Sequence, residues 1–119
     1  MNKAAKRQKA ERRGRNAELF AALFLRLKGF KVVATRFKTS VGEIDIIARK
    51  GDLAIFVEVK ARQSEQLAID AVTPASMNRI RNASDIWLSQ QRDHHLLSQR
   101  YDIIACTPGR LPRHFANAF

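Results

Sequence analysis

An α/β fold, a mixed β-sheet flanked by helices in the order helix, three strands, helix, strand, follows from three stretches of the chain. Gly42 to Arg62 reads as two strands joined by a tight turn. Two segments on either side of it, 16–28 and 73–91, carry apolar residues at helical spacing. Arg100 to Thr107 is a nearly continuous apolar run. Such a run after a helix marks a strand buried on both faces and reached by a crossover, hence parallel to its neighbour. The 119 residues suit one domain. At this size about two-thirds of the unfolded surface can be buried.

Residues 1–15 hold Lys3, Lys6, Arg7, Lys9, Arg12, Arg13 and Arg15 against Glu11 alone. The expected state is a basic, flexible arm, able to extend the first helix, with residues 16–119 as the single folded domain. Arg12, Arg13 and Arg15 in this arm are candidates for phosphate contact without sequence readout. In the first helix, Asn16 to Lys28, a turn of about 100° per residue places Leu27, Phe20, Phe24, Ala17 and Ala21 on one face. Leu23 and Leu25 flank it, and Glu18 lies at its edge next to Leu25. Gly29 ends the helix.

Phe30 to Lys38 reads as the first strand, and Thr39 to Gly42 as a turn. In the hairpin Ile44, Ile46 and Ala48 alternate with Glu43, Asp45 and Ile47; Ile55, Val57 and Val59 alternate with Ala54, Phe56, Glu58 and Lys60. Gln63 to Val72 is polar and aperiodic, a loop. Thr73-Pro74 starts the second helix, a capping hydroxyl followed by proline at the first helical position. Its buried face is Met77, Ile80, Ala83, Trp87 and Leu88. Arg79 lies elsewhere on its surface, where it can contact phosphate. Pro108-Gly109 ends the last strand, and Leu111, Phe115 and Phe119 are possible anchors for the tail.

The chain has 22 Lys plus Arg against 11 Asp plus Glu, a net charge of +11. That points to an anionic partner, nucleic acid before an acidic membrane. The one cysteine, Cys106, excludes an internal disulfide and fits a reducing compartment; in its apolar run it reads as a buried, inert thiol. Glu18 and Arg26 interrupt the apolar stretch from Ala17 to Leu27, which is also too short to span a membrane. The expectation is a cytoplasmic protein with no membrane partner.

The hairpin carries the chemistry. With Gly51-Asp52 as the loop, Asp45 faces Glu58 and Glu43 faces Lys60; with Lys50-Gly51, Asp45 faces Phe56 and Glu58 is its diagonal neighbour. Either way the four charged side chains share one face. Opposed carboxylates repel, and a divalent cation gives their proximity a purpose. Mg²⁺, or Mn²⁺ in its place, takes oxygen ligands in octahedral geometry and retains water. Asp45, Glu58 and the main-chain carbonyl of Val59 can supply such a site, with Glu18 completing it directly or through water. Lys60 can orient or deprotonate the attacking water. The alternative is a cross-strand ladder of ion pairs, Glu43 with Lys60 and Asp45 with Arg49, which contributes little to stability. His94 and His95 are adjacent and make no spaced ligand set, and His114 stands alone.

Asp45, twelve intervening residues, then Glu58-Val59-Lys60 resembles the PD-(D/E)xK signature of the restriction-endonuclease-like superfamily. Glu18 matches an extra acidic residue found in many of its members. GEIDIIA, FVEVKAR, AVTP and RYDII resemble the YraN-like family of small bacterial proteins, over roughly Arg15 to Ile104. The resemblance implies a restriction-endonuclease-like core, with Asp45 and Glu58 as metal ligands, Lys60 catalytic and Glu18 a supporting acid. Arg62 and Arg100 become phosphate contacts, and a homodimer is expected. Near the start of the second helix, where members often carry Lys or Gln, this chain has Ser76 and Met77. The implied activity is Mg²⁺- or Mn²⁺-dependent hydrolysis of phosphodiester bonds, in DNA that is branched or damaged. The competing expectation is a DNA- or RNA-binding module that keeps the fold without cutting.

Overall fold

The Gly51-Asp52 turn sets the register of the hairpin. In the computed structural model, which describes residues 2–119, strand β2 (Glu43–Lys50) pairs antiparallel with β3 (Leu53–Ala61), Lys50 opposite Leu53. Gly51 has φ +59°, the left-handed backbone that a two-residue hairpin loop requires. The alternative register does not form. Strand β1 (Lys31–Lys38) pairs with the other edge of β2. Strand β4 (Ser98–Cys106) pairs parallel with β3, as the apolar run predicts. A short β5 (Arg113–Phe115) adds antiparallel to β4 and completes the order β1-β2-β3-β4-β5.

Helix α1 (Lys3–Leu27) covers one face of this sheet, over Ile46, Ala48, Ile55, Val57 and Ile104. The boundary at residue 15 is no break, since the basic arm continues the helix from Lys3. The buried side of α1 is Ala17, Ala21, Ala22 and Leu25, while Leu19, Phe20, Leu23 and Leu27 are 52–79% exposed. The helix is therefore rotated by roughly a quarter turn from the expected orientation. Two apolar stripes lie at i, i+4 spacing, and the small one faces in because alanines let the helix axis approach the sheet closely. The rotation moves Glu18, between Leu25 and Ala22 on the helical wheel, from the edge of the face into its middle.

Three elements are absent from the sequence reading: strand β5, a 3₁₀ turn at His94–Leu96 and a short helix before the second long one. Within Gln63 to Val72 a six-residue helix, α2 (Glu65–Asp70), is capped by Ser64, which accepts from the Leu67 N–H. Helix α3 (Pro74–Ser89) begins as predicted, with Thr73 and Ser76 in a reciprocal capping box. It packs Ile80, Ala83 and Trp87 on the second face of the sheet. Phe56 sits at the centre of that core, edge-on to Trp87 with centroids 5.7 Å apart. Each such fully buried apolar side chain contributes about 1.5–3 kcal/mol.

Gly42 is where β2 passes under α3. A Cβ there would lie 2.5 Å from the main-chain oxygen of Arg79. Gly42→Ala is expected to destabilise the fold by about 1–3 kcal/mol, the usual cost of overpacking against rigid backbone. A thermal melt with a wild-type midpoint would contradict this.

The tail is tied down through Asp102, fully buried on β4. Its carboxylate accepts two bonds from the Arg100 guanidinium (2.9 Å each), one from the Asn117 N–H (2.9 Å) and one from His114 Nε2 (2.7 Å). Lys28 Nζ lies 2.7 Å from His114 Nδ1. An ammonium has only protons to give, so Nδ1 accepts and the Nε2 proton faces Asp102. Far from standing alone, His114 joins the tail to both β4 and the end of α1. Phe119 stacks on Tyr101 at 5.4 Å, whereas Leu111 is exposed and anchors nothing. Among the described residues no helix is long and apolar enough to cross a membrane.

Candidate metal centre

The site begins where β2 and β3 part. Their pairing stops at Ile46 opposite Val57. Beyond it, the Asp45 side chain takes the place of a strand partner, its Oδ2 accepting from the Val59 N–H at 2.8 Å. The N–H and C=O of one strand residue point to the same side, so the Val59 carbonyl also faces this split. The irregularity extends into β1. Arg36, which the register places opposite Asp45, has φ +51°, a conformation L-residues avoid. Ile46 packs under α1 but Ile44, two residues earlier, packs under α3. The strand turns over between them, at Asp45.

This turn brings Asp45 against Glu58. Burial raises the Asp45 carboxyl, and the hydrogen bond and charge of Glu58 raise it further, to about 8. The Val59 N–H and Lys60 pull less strongly the other way. Asp45 thus carries a proton that the pair shares at neutral pH. Lys60 Nζ stands 3.7 Å from Glu58 Oε1, and only 12% of the Glu58 side chain is exposed. The expected ion-pair ladder is not built: Arg49 holds Asp93 at 2.8 Å instead, and Lys60 turns to Glu58.

Cavities open on both sides of the acids. One, of about 280 Å³ under α1, is lined by Glu18, Asp45, Glu58 and Lys60 with Arg13 and Arg62 at its rim. Ala10, Gly14 and Ala17 form its roof, small residues on the sheet-facing side of α1 that leave the space unfilled. The other, of about 260 Å³, lies beside α3 and is lined by Glu43, Asp45, Glu58, Lys60, Ser76 and Arg79. The acids therefore line both cavities, with arginines bordering each.

Glu18 lines the first cavity, but Arg36 Nε donates to its Oε2 at 2.8 Å, so it is held as an ion pair rather than aimed at the other two acids. Among the described residues no three Asp, Glu, His or Cys side chains converge as a metal-holding group. A cation between Asp45 and Glu58 would be completed by the Val59 carbonyl and water. This all-oxygen set fits Mg²⁺ or Mn²⁺, which keep several waters. The Ser76 hydroxyl borders the second cavity but is engaged with Thr73 in the capping box.

Of the predicted phosphate contacts, Arg13, Arg62 and Arg79 border the two cavities. Arg12 is exposed on α1, and Arg15 lines a separate groove with Glu18 and Arg36. Arg100 is not brought to the site. It lies opposite Ile55, five residues or about 17 Å along β3 from Lys60, and its guanidinium is spent on Asp102. Arg36 was not singled out in the sequence; no local pattern marks a non-glycine residue for the left-handed region.

A family model described as uncharacterised protein family UPF0102 matches residues 17–106. A UPF0102 protein of Rhizobium johnstonii is 64% identical over 113 residues, 95% of this chain and 93% of that protein. One from Rhizobium meliloti is 60% identical over 111 residues, covering 93% and 91%. Another, from Agrobacterium fabrum, is 56% identical over 114 residues, covering 96% and 93%.

Proposed function

The chain belongs to the uncharacterised protein family UPF0102, and from the site its residues build we propose that it is a Mg²⁺- or Mn²⁺-dependent endonuclease acting on nucleic acid, DNA in the first place. The single observation that carries this reading is the pairing of Asp45 with Glu58 in the split between β2 and β3, with the Val59 main chain and Lys60 alongside. The order of elements and the parallel fourth strand support a restriction-endonuclease-like core.

A divalent cation held by Asp45, Glu58 and the Val59 carbonyl would supply Lewis-acid chemistry there, activating a water and offsetting charge on the scissile phosphate. The protein's own residues do the rest. Asp45 and Glu58 give up their shared proton and present oxygens. Lys60, on the same side as Glu58, orients the attacking water and faces the charge that builds on the phosphate. Arg13 and Arg62 hold the chain from the α1 side, and Arg79 from the α3 side, so that the scissile group lies over the acids. Neither arginine set reads bases, and the predicted selectivity is for backbone geometry.

A second reading, a module that binds nucleic acid without cutting, is favoured by one observation. The Ser76 hydroxyl, which stands where a lysine or glutamine is common, is consumed by the helix cap. The two separate in a cleavage assay on branched and linear DNA with Mg²⁺ and with Mn²⁺. Wild type is expected to cut, and Lys60→Ala to cut about 10²–10³-fold more slowly, the usual loss on removing one group aimed at transition-state charge. Equal rates in both would remove the catalytic reading. Salt-sensitive binding with no cleavage by wild type would establish the second.

A further inference from the structure

Next to the α1-side cavity lies a second groove of about 280 Å³, bounded by the flank of α1 and the C-terminal ends of β3 and β4. Its walls are Phe20, Ala61, Cys106 and Pro108, and Arg13 and Arg62 border both it and the cavity over the acids. Phe20 is 62% exposed although it is a large aromatic residue on a helix that buries Ala17, Ala21, Ala22 and Leu25 instead. The groove is mostly apolar, with Asn16, Gln63 and Thr107 also in its lining, and its only cations are the two arginines it shares with the acidic cavity. Its volume is at the low end for small-molecule sites, too narrow for a duplex and of the scale of one aromatic ring system.

We propose that this groove is a nucleobase subsite, taking one unstacked base of a strand whose phosphate lies in the adjoining cavity. The inference rests on the phosphodiester reading above. The charge pattern selects this occupant. Two arginines at the junction suit the phosphates on either side of a base, and an exposed ring beside them suits the base itself. An apolar peptide segment would satisfy Phe20 and Pro108 but would leave Arg13 and Arg62 facing no anion. A base held here is turned out of its stack, which fixes the position of the neighbouring phosphate over Asp45 and Glu58.

The test is binding of the full chain, in chelator so that no cleavage occurs, to a labelled single-stranded oligonucleotide and to the same phosphodiester chain made entirely of abasic sites. Wild type is expected to prefer the base-bearing strand about tenfold. Phe20→Ala should lose that preference with its affinity for the abasic chain unchanged, and Phe20→Tyr should keep it. Phe20 is largely exposed, so neither change threatens the fold. Equal wild-type affinity for both strands, or an equal loss for both in Phe20→Ala, would overturn the subsite and leave the phosphate reading standing. Failure to bind either strand would overturn both. If Phe20→Ala converts a dimer to a monomer in sedimentation and base preference is unchanged, the groove seats a second copy of the chain instead.

Discussion

Replacing Asp45 with asparagine is expected to make the cation-free protein more stable while abolishing its response to divalent metal. Asp45 stands against Glu58 in a half-buried split, with its carboxyl raised to about 8 by burial and by that neighbour. A raised carboxyl favours the folded state only while it holds its proton. Its contribution is full below the unfolded value near 4 and is lost as pH climbs towards 8. At pH 8 the wild-type protein therefore folds against the repulsion of two acids. Asparagine keeps the oxygen that accepts from the Val59 N–H and offers Glu58 a donor, without the charge. The midpoint of thermal unfolding at pH 8 should rise by about 4 °C or more, and the advantage should vanish near pH 4. Mn²⁺ at a hundred times its dissociation constant should stabilise wild type by about 2.7 kcal/mol and the Asp45→Asn variant not at all. A site that trades stability for function behaves in this way. A variant that is less stable at every pH, yet still gains from metal, would contradict the account.

The largest loss of stability is expected at Asp102, not at the candidate metal centre. Asp102→Ala removes a fully buried carboxylate and leaves the Arg100 guanidinium, the His114 Nε2 proton and the Asn117 N–H without an acceptor. Truncating one partner of a buried charge pair costs about 3–5 kcal/mol. Burial alone would raise this carboxyl, but the bonds from His114, Arg100 and Asn117 outweigh it and hold it down at about 2. Its stabilisation is thus present above the unfolded value near 4 and is lost as pH falls through about 2. Chemical denaturation should show the full loss at pH 7 and a smaller one near pH 2, where only the pH-linked part of the stabilisation has gone. The tail should go first, since its side-chain anchoring to β4, by His114 and the Asn117 N–H, converges on this carboxylate. Cleavage by a protease after Arg110 or Arg113 in the variant, at concentrations that spare wild type, would report it. A loss below about 1 kcal/mol would mean that the network is ornamental.

The parts of this molecule that were legible in the sequence are those with a local cause. The hairpin follows from alternation and from Gly51-Asp52, and the start of α3 from Thr73 and Pro74. The parallel β4 follows from an apolar run with no polar face. The register of the same hairpin points Asp45 towards Glu58, although the turn of β2 at Asp45 that completes their approach was not legible. What was not legible depends on contacts between distant segments. The stripe of α1 that faces the sheet was misread because large apolar residues are the usual guide to burial; here close approach selects alanine. Helix α2 is six residues long, too short to show a period. Strand β5 and His114 have meaning only through Asp102, and Arg100 is drawn away from the cations of the cleft by the same carboxylate. Glu18 reached the cleft through the rotation of α1, and neither the left-handed Arg36 backbone opposite Asp45 nor the Arg36 side chain that holds Glu18 leaves a trace in the local pattern.

The most direct measurement is a calorimetric titration of Mn²⁺ into the full chain at pH 8, wild type against Glu58→Gln. Wild type is predicted to bind one ion per chain in the split between Asp45 and Glu58, releasing a proton when the titration is repeated below pH 8. Glu58→Gln is predicted to bind at least about a hundredfold more weakly, because loss of a direct ligand exceeds the 10- to 100-fold that outer-shell partners contribute. Equal affinities in the two proteins would mean that these carboxyls hold no cation, and the hydrolytic reading would fail with them.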